Sequence, residues 1–266
     1  MNFTLRPTRS EKSLRNYKSE NGNILVKCPC FDLETTLNCG QAFRRHIDCE
    51  QTPDGSVILR DISEADFLSK WDIYFDFNRD YEAIKAEFKA DKTLAEAIDF
   101  CGGIRILKQD PFEALISFII SQNNNIPRIK LIIDRLITHF GHFPTAEDLL
   151  TDISFAKTGF REKYLKSAAM SNIDLEAIED MPTEQARQEL MKIKGVGPKV
   201  AECTLLYGFG RLECFPRDVW INRVLKEFYP DGFPFVNHPY AGVAQQFLFH
   251  YIRNIKRNLE ECEKVS

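Results

Sequence analysis

Hydrophobic spacing divides the chain into two textures. Through about residue 78, short β-type runs (ILVKCPCFDL at 24–33, SVILRDI at 56–62, DIYFDFN at 72–78) are separated by turn formers. These include Asn21-Gly22-Asn23 and Pro53-Asp54-Gly55. This pattern predicts a small antiparallel sheet. From about residue 80, apolar residues recur at three and four spacing, first in DYEAIKAEFKADKTLAEAIDF, a helical run that stops at Gly102-Gly103. Pro111 then opens PFEALISFIISQ, apolar on nearly every face and so predicted to be a buried helix. Further helical patterns cover roughly 126–140, 161–170, 183–192, 198–209, 217–228 and 239–257. The predicted class is α+β, with an N-terminal antiparallel β domain at 1–79 and a mostly α-helical core at 80–266.

Composition adds little chemistry but excludes several classes. With 266 residues, 44% hydrophobic and 21 of them Phe, the chain can bury a core and fold alone. The first residues lack the apolar stretch of a signal peptide, and no run of 18 apolar residues suggests a membrane span, so an intracellular protein is expected. Eight cysteines (28, 30, 39, 49, 101, 203, 214, 262) form no C-x-x-C pair and read as reduced thiols. His46, His139, His142, His238 and His250 make no H-x-x-x-H pair, so no metal and no cofactor are expected. Lys plus Arg total 35 against 39 acids, a net charge of −4, where duplex-binding domains are often basic. Any nucleic-acid function must therefore come from motifs and from cations gathered on one face.

The most informative motif is KIKGVGPKVAECTLL at 192–206. A helix is predicted to end at Lys194, Gly195-Val196-Gly197 to turn, and Pro198 to open a second helix, giving a helix-hairpin-helix over about 185–209. The bare N–H groups at the new helix start suit a DNA phosphate, gripped without reading sequence. On its own, Gly-Val-Gly is equally compatible with an ordinary helical hairpin. Lys199 adds chemistry, because a lysine in the first turn of a helix is suited to act as an amine nucleophile. Asp218, in CFPRDVWINRV, stands where a helix N-cap is expected. Either residue alone is a weak signal; the pair after this hairpin is a strong one.

Four blocks in order resemble the helix-hairpin-helix-Gly/Pro-Asp superfamily of DNA glycosylases, and within it the human-type 8-oxoguanine glycosylase/lyase branch. They are NCGQAFRR (38–45), QDPFEALISFIISQNNNIPRI (109–129), KGVGPKVAEC with FPRDVW (194–220), and AGVAQQFLF (241–249). The resemblance implies that Lys199 attacks the sugar C1′ and that Asp218 stabilises the cationic sugar. It implies a base pocket of Gly40, Cys203, Gln245 and Phe249, with the Gly40 carbonyl accepting from N7–H of 8-oxoguanine. Asn123, Arg128 and Arg161 are implied to contact the cytosine left behind, and Gly195, Val196 and Gly197 the DNA backbone. The implied partner is double-stranded DNA containing 8-oxoguanine, met by a monomer in the cytoplasm or nucleoid. A monovalent cation on hairpin carbonyls would be a positioning aid, not a catalyst.

Two positions depart from the branch: Trp220 stands where it has a histidine near a phosphate, and Phe160 where it has a tyrosine beside the estranged base. Two other functions compete. An oxidised-pyrimidine glycosylase of the endonuclease III type shares the Lys and Asp but often holds an iron–sulfur cluster on four close cysteines. Here only Cys262 lies beyond residue 214. A non-catalytic helix-hairpin-helix DNA-binding protein would need the hairpin but have no use for Lys199 with Asp218.

Overall fold

The computed structural model describes residues 17–263, with side chains through residue 255. Residues 1–16 of the expected β domain, and the side chain of Cys262, lie outside the described residues. Strands β1 (Tyr17–Glu20) and β2 (Asn23–Val26) form a hairpin around Asn21 and Gly22. Both turn residues have positive φ, 52° and 77°, as the tight turn that matches strand twist requires. After α1 (Leu33–Asn38), β3 (Cys49–Gln51) and β4 (Val57–Leu59) complete an antiparallel sheet in the order β1-β2-β4-β3. Ile24, Val26, Val57 and Leu59 point to one side and are buried.

Residues 72–78 are not a strand, contrary to the sequence pattern. A continuous helical stretch runs through α2 (Glu64–Asp66), a π-helical turn (Phe67–Trp71) and α3 (Asp72–Tyr74). Phe67, Trp71, Tyr74 and Phe75 are all buried, at a helical spacing that begins before the run and overrides its local alternation. They close the sheet's buried face into a small core with Phe31 and Leu107.

The helical portion begins with α4 (Tyr81–Phe88) and α5 (Lys92–Cys101). The sequence reads these as one run, but Asp91 breaks it by accepting a hydrogen bond from the Leu94 N–H as N-cap. Helix α6 (Pro111–Ile120) is buried from Glu113 to Ile120 and forms the spine of the larger core. Around it stand α7 (Ile126–Phe140), α8 (Ala146–Leu150), α9 (Glu162–Ala169), α10 (Leu175–Asp180) and α11 (Thr183–Met191). Helix α12 (Pro198–Gly208) packs along α6; α13 (Val219–Phe228) and α14 (Ala241–Glu263) follow, and α14 packs against α5 and α13. The helix before the hairpin ends at Met191, a turn earlier than Lys194. No described helix is long and apolar enough to cross a membrane.

Candidate active site

A cavity of about 610 Å³ opens where five chain segments meet. Its walls include Gly40, the end of α6 at Phe118 and Ser121, the Asn123 turn, Lys199, Asp218 with Trp220, and Phe249 with Arg253. Lys199 is the second residue of α12, where Pro198 presets the helical φ. Its Nζ donates to Ser121 Oγ at 3.1 Å and lies 4.9 Å from the centre of the Phe118 ring. One turn along, Cys203 is 3% exposed. Burial pushes its thiol up to about 11, against the pull of Lys199, so Cys203 is a neutral thiol at physiological pH and not a rival nucleophile. Asp218 is the N-cap of α13 and its Oδ1 accepts from Ile221 N–H at 2.8 Å. Capping and facing the cavity are thus the same placement.

Gly40 is fixed from behind by its neighbour. Gln41 is fully buried, and its Nε2 donates to the carbonyls of Thr36 (3.0 Å) and Arg105 (2.7 Å). Its Oε1 accepts from Leu107 N–H at 2.9 Å, and Gln109 Nε2 donates to the Gln41 carbonyl at 2.8 Å. These bonds hold Gly40 at φ +96°, a conformation L side chains avoid. A Cβ there would stand 2.8 Å from Ile126 Cδ1 and 3.5 Å from Phe249 Cε1. Arg44 extends the anchorage: its guanidinium grips Glu113 of α6 through two bonds of 2.7 and 2.6 Å. Gln245 is buried with Nε2 donating to the Pro216 carbonyl at 3.1 Å, while its Oε1 has no hydrogen-bond partner among the described residues.

Asn123 is exposed and left-handed, φ 45°, in the turn between α6 and α7. Arg128 is exposed in the first turn of α7, its N–H bonded to the Asn125 side chain at 2.9 Å. Arg161, by contrast, is only 2% exposed and turned inward. Its guanidinium donates to the carbonyls of Gln122 (2.8 Å), Asn123 (2.8 Å) and Thr158 (3.1 Å). Burial, then the charge of Arg128, pulls its pKa down from the usual arginine value. In the hairpin, Gly195 has φ +95° and an added Cβ would fall 2.3 Å from Tyr164 Cγ. Val196 is buried, and Gly197 is the extended residue before α12.

Residues 54–115 match the N-terminal domain of 8-oxoguanine DNA glycosylase. A probable N-glycosylase/DNA lyase of Methanothermobacter thermautotrophicus is 30% identical over 84% of this chain and 94% of its own length. The chain belongs to the 8-oxoguanine DNA glycosylases. An N-glycosylase/DNA lyase of Saccharomyces cerevisiae is 37% identical over 48% of this chain and 42% of its own. Among solved structures, the Clostridium acetobutylicum 8-oxoguanine glycosylase/lyase, bound to duplex DNA with cytosine opposite 8-oxoguanine, superposes with a TM-score of 0.81. It is 32% identical and covers 90% of this chain and 98% of its own.

In this glycosylase the cavity collects Lys199, Asp218, Gly40, Phe249 and Asn123. Cys203 and Gln245 are buried and do not line it, and Arg128 and Arg161 lie outside its walls. Motif reading passed over Ser121 and Phe118, which seat the lysine, Gln41, which seats Gly40, and Arg253, which stacks near Phe249 at 5.8 Å. Gln41 and Ser121 sit inside blocks that carry the resemblance, so their position was visible although their bonding was not.

Proposed function

We propose that this glycosylase excises 8-oxoguanine from duplex DNA, with preference for cytosine opposite the lesion, and then cuts the strand at the vacated site. Lys199 and Asp218 lining one cavity together with Gly40 and Phe249 carry the reading. The flipped base stacks on Phe249, and the Gly40 carbonyl accepts its N7–H. Guanine has no hydrogen at N7 and leaves that acceptor unmet, at a cost of about 1–3 kcal/mol or roughly tenfold to hundredfold in selectivity. The resemblance gives the base's Watson–Crick edge to Gln245, whose Oε1 is buried and has no hydrogen-bond partner among the described residues.

The Lys199 amine bonds to C1′ as the C1′–N9 bond breaks, and the base departs with that electron pair and gains a proton. The Asp218 carboxylate stabilises the positive charge that develops on the sugar. Ring opening gives an imine between Lys199 and C1′. Loss of a C2′ proton then sends electrons into the imine and expels the 3′ oxygen, cutting the strand. Ser121 and Phe118 hold the amine in place before attack. Asn123 and Arg128 meet the cytosine, with Arg161 serving the same contact through the turn it holds.

Borohydride trapping tests the reading. A duplex with one 8-oxoguanine opposite cytosine should yield a covalent protein–DNA band that requires both the lesion and Lys199 and disappears in Lys199→Gln. Base release without a band would remove Lys199 from its role. Neither release nor band would overturn the substrate.

A further inference from the structure

The turn at residues 121–123 touches three functions at once. Ser121 Oγ accepts from Lys199 Nζ at 3.1 Å. Gln122 Nε2 donates to the Gly195 carbonyl in the hairpin at 2.9 Å. Asn123 projects from the same turn, exposed and left-handed. Three successive residues thus meet the nucleophile, the hairpin and the cavity itself.

The region around the start of α9 closes this arrangement into a ring. Arg161 holds the turn by its Gln122 and Asn123 carbonyls. Tyr164, three residues on, packs its ring directly on Gly195, leaving no room there for a Cβ. Gln122 completes the circuit by joining the held turn to the held hairpin. Burying a guanidinium is costly unless its donors are used, and among the described residues no carboxylate lies within salt-bridge distance of Arg161. Its charge is spent on the carbonyls of the Asn123 turn and on Thr158. A residue kept for solvent-side contact would not be bound so fully.

We infer that Gln122 and Arg161 are positioning residues that make the 121–123 turn a rigid link, so that the base met by Asn123 sets the placement of Lys199 as well as the strength of binding. The inference rests on the 8-oxoguanine reading above. It assigns the preference for cytosine to the chemical step: a wrong opposite base displaces Asn123, the displacement passes to Ser121, and the amine loses its seat. Gln122 keeps the movement from being absorbed in the loop, because its amide ties the turn to the hairpin that stays on the DNA.

The test is single-turnover base excision on duplexes with cytosine or adenine opposite 8-oxoguanine, alongside DNA affinity, for wild type, Gln122→Met and Gln122→Glu. Wild type should excise faster opposite cytosine at saturating enzyme. Gln122→Met, which loses one hydrogen bond, should shrink the cytosine-to-adenine rate ratio about tenfold, chiefly by slowing the cytosine reaction, with duplex affinity little changed. Gln122→Glu keeps the shape but sets a carboxylate against the Gly195 carbonyl, and should shrink the ratio at least as far; it decides the matter if the Met variant does not fold. A rate ratio preserved in the folded variant, or a loss seen only in affinity, would overturn the inference. Wild-type excision with equal rates opposite both bases would sink the inference while leaving the substrate reading intact, whereas no excision from either duplex would sink the substrate reading itself.

Discussion

Replacing Gly40 by Ala perturbs the wall of the base pocket by one methyl group, and the structure sets the size of the effect. An L residue at φ +96° is costly by roughly 1–2 kcal/mol. The new Cβ would stand 2.8 Å from Ile126 Cδ1, the tip of a side chain that can move at about 1 kcal/mol of rotamer strain. Together these predict a loss of about 2–3 kcal/mol, or a melting temperature lowered by roughly 4–12 °C for a chain of this size. Because Gln41 pins the segment, it cannot turn away to relieve the strain, so the Gly40 carbonyl itself shifts. Losing its hydrogen bond to the base should slow 8-oxoguanine excision by about tenfold to hundredfold. Cleavage of a preformed abasic site needs no base in the pocket and should fall much less. The assay is single-turnover kinetics on both substrates at a temperature where the variant is folded. Equal loss on the two substrates would show a general disturbance, and wild-type excision would refute the placement of the base against Gly40.

Phe249→Ala should slow excision by roughly tenfold to hundredfold, the value of one lost base–aromatic stack, while abasic-site cleavage persists; single-turnover rates on the two substrates check it. The Glu113 carboxyl predicts an acid limit to stability. Burial raises its pKa, but the two hydrogen bonds from Arg44 and the His46 imidazole 3.1 Å away outweigh that and leave it below the ordinary 4.5. A carboxyl depressed on folding contributes its full stability above 4.5 and loses it as pH falls through the folded value. Melting temperature should therefore drop below about pH 4.5, and Glu113→Gln should flatten that limb of the profile while lowering the melting temperature at pH 7.

Much of the fold was legible because it is written in local periods. The 126–140 helix, the hairpin glycines and Pro198 all follow from spacing and from backbone preferences that a few neighbouring residues reveal. What failed was decided at a distance. DIYFDFN alternates like a strand, yet its aromatics join Phe67 and Trp71 in a helical row that a seven-residue window does not contain. Arg161 is expected to contact the cytosine, yet it is buried, and its burial depends on carbonyls 38 and 39 positions earlier in the chain. Gln41 looks like an ordinary polar residue, although its bonds to Arg105 and Leu107 span 64 and 66 positions. Candidate site residues stood out by type and motif, but the residues that hold them in place did not. The acidic net charge was the least useful guide, because binding depends on where cations lie and not on their sum.

Asp218 shows why a bland reading and a catalytic one need not compete. As N-cap it bonds the Ile221 N–H, and the same carboxylate lines the cavity with Lys199. A helix start is an economical place for a catalytic carboxylate, since the cap bond fixes the rotamer and so removes most of the entropy of aiming it. Substitution can separate the two duties. Asn caps about as well as Asp, so Asp218→Asn should keep the cap and lose only the charge–dipole term, about 0.3–1 kcal/mol. Its melting temperature should stay close to wild type while imine trapping and base excision fall by orders of magnitude, because nothing then offsets the charge on the sugar. Asp218→Ala loses the cap as well and should cost about 1 kcal/mol more in stability, with little further loss of rate. If activity instead tracked stability across the two variants, Asp218 would be a cap alone, and the charge on the sugar would have to be met by another group on the cavity wall.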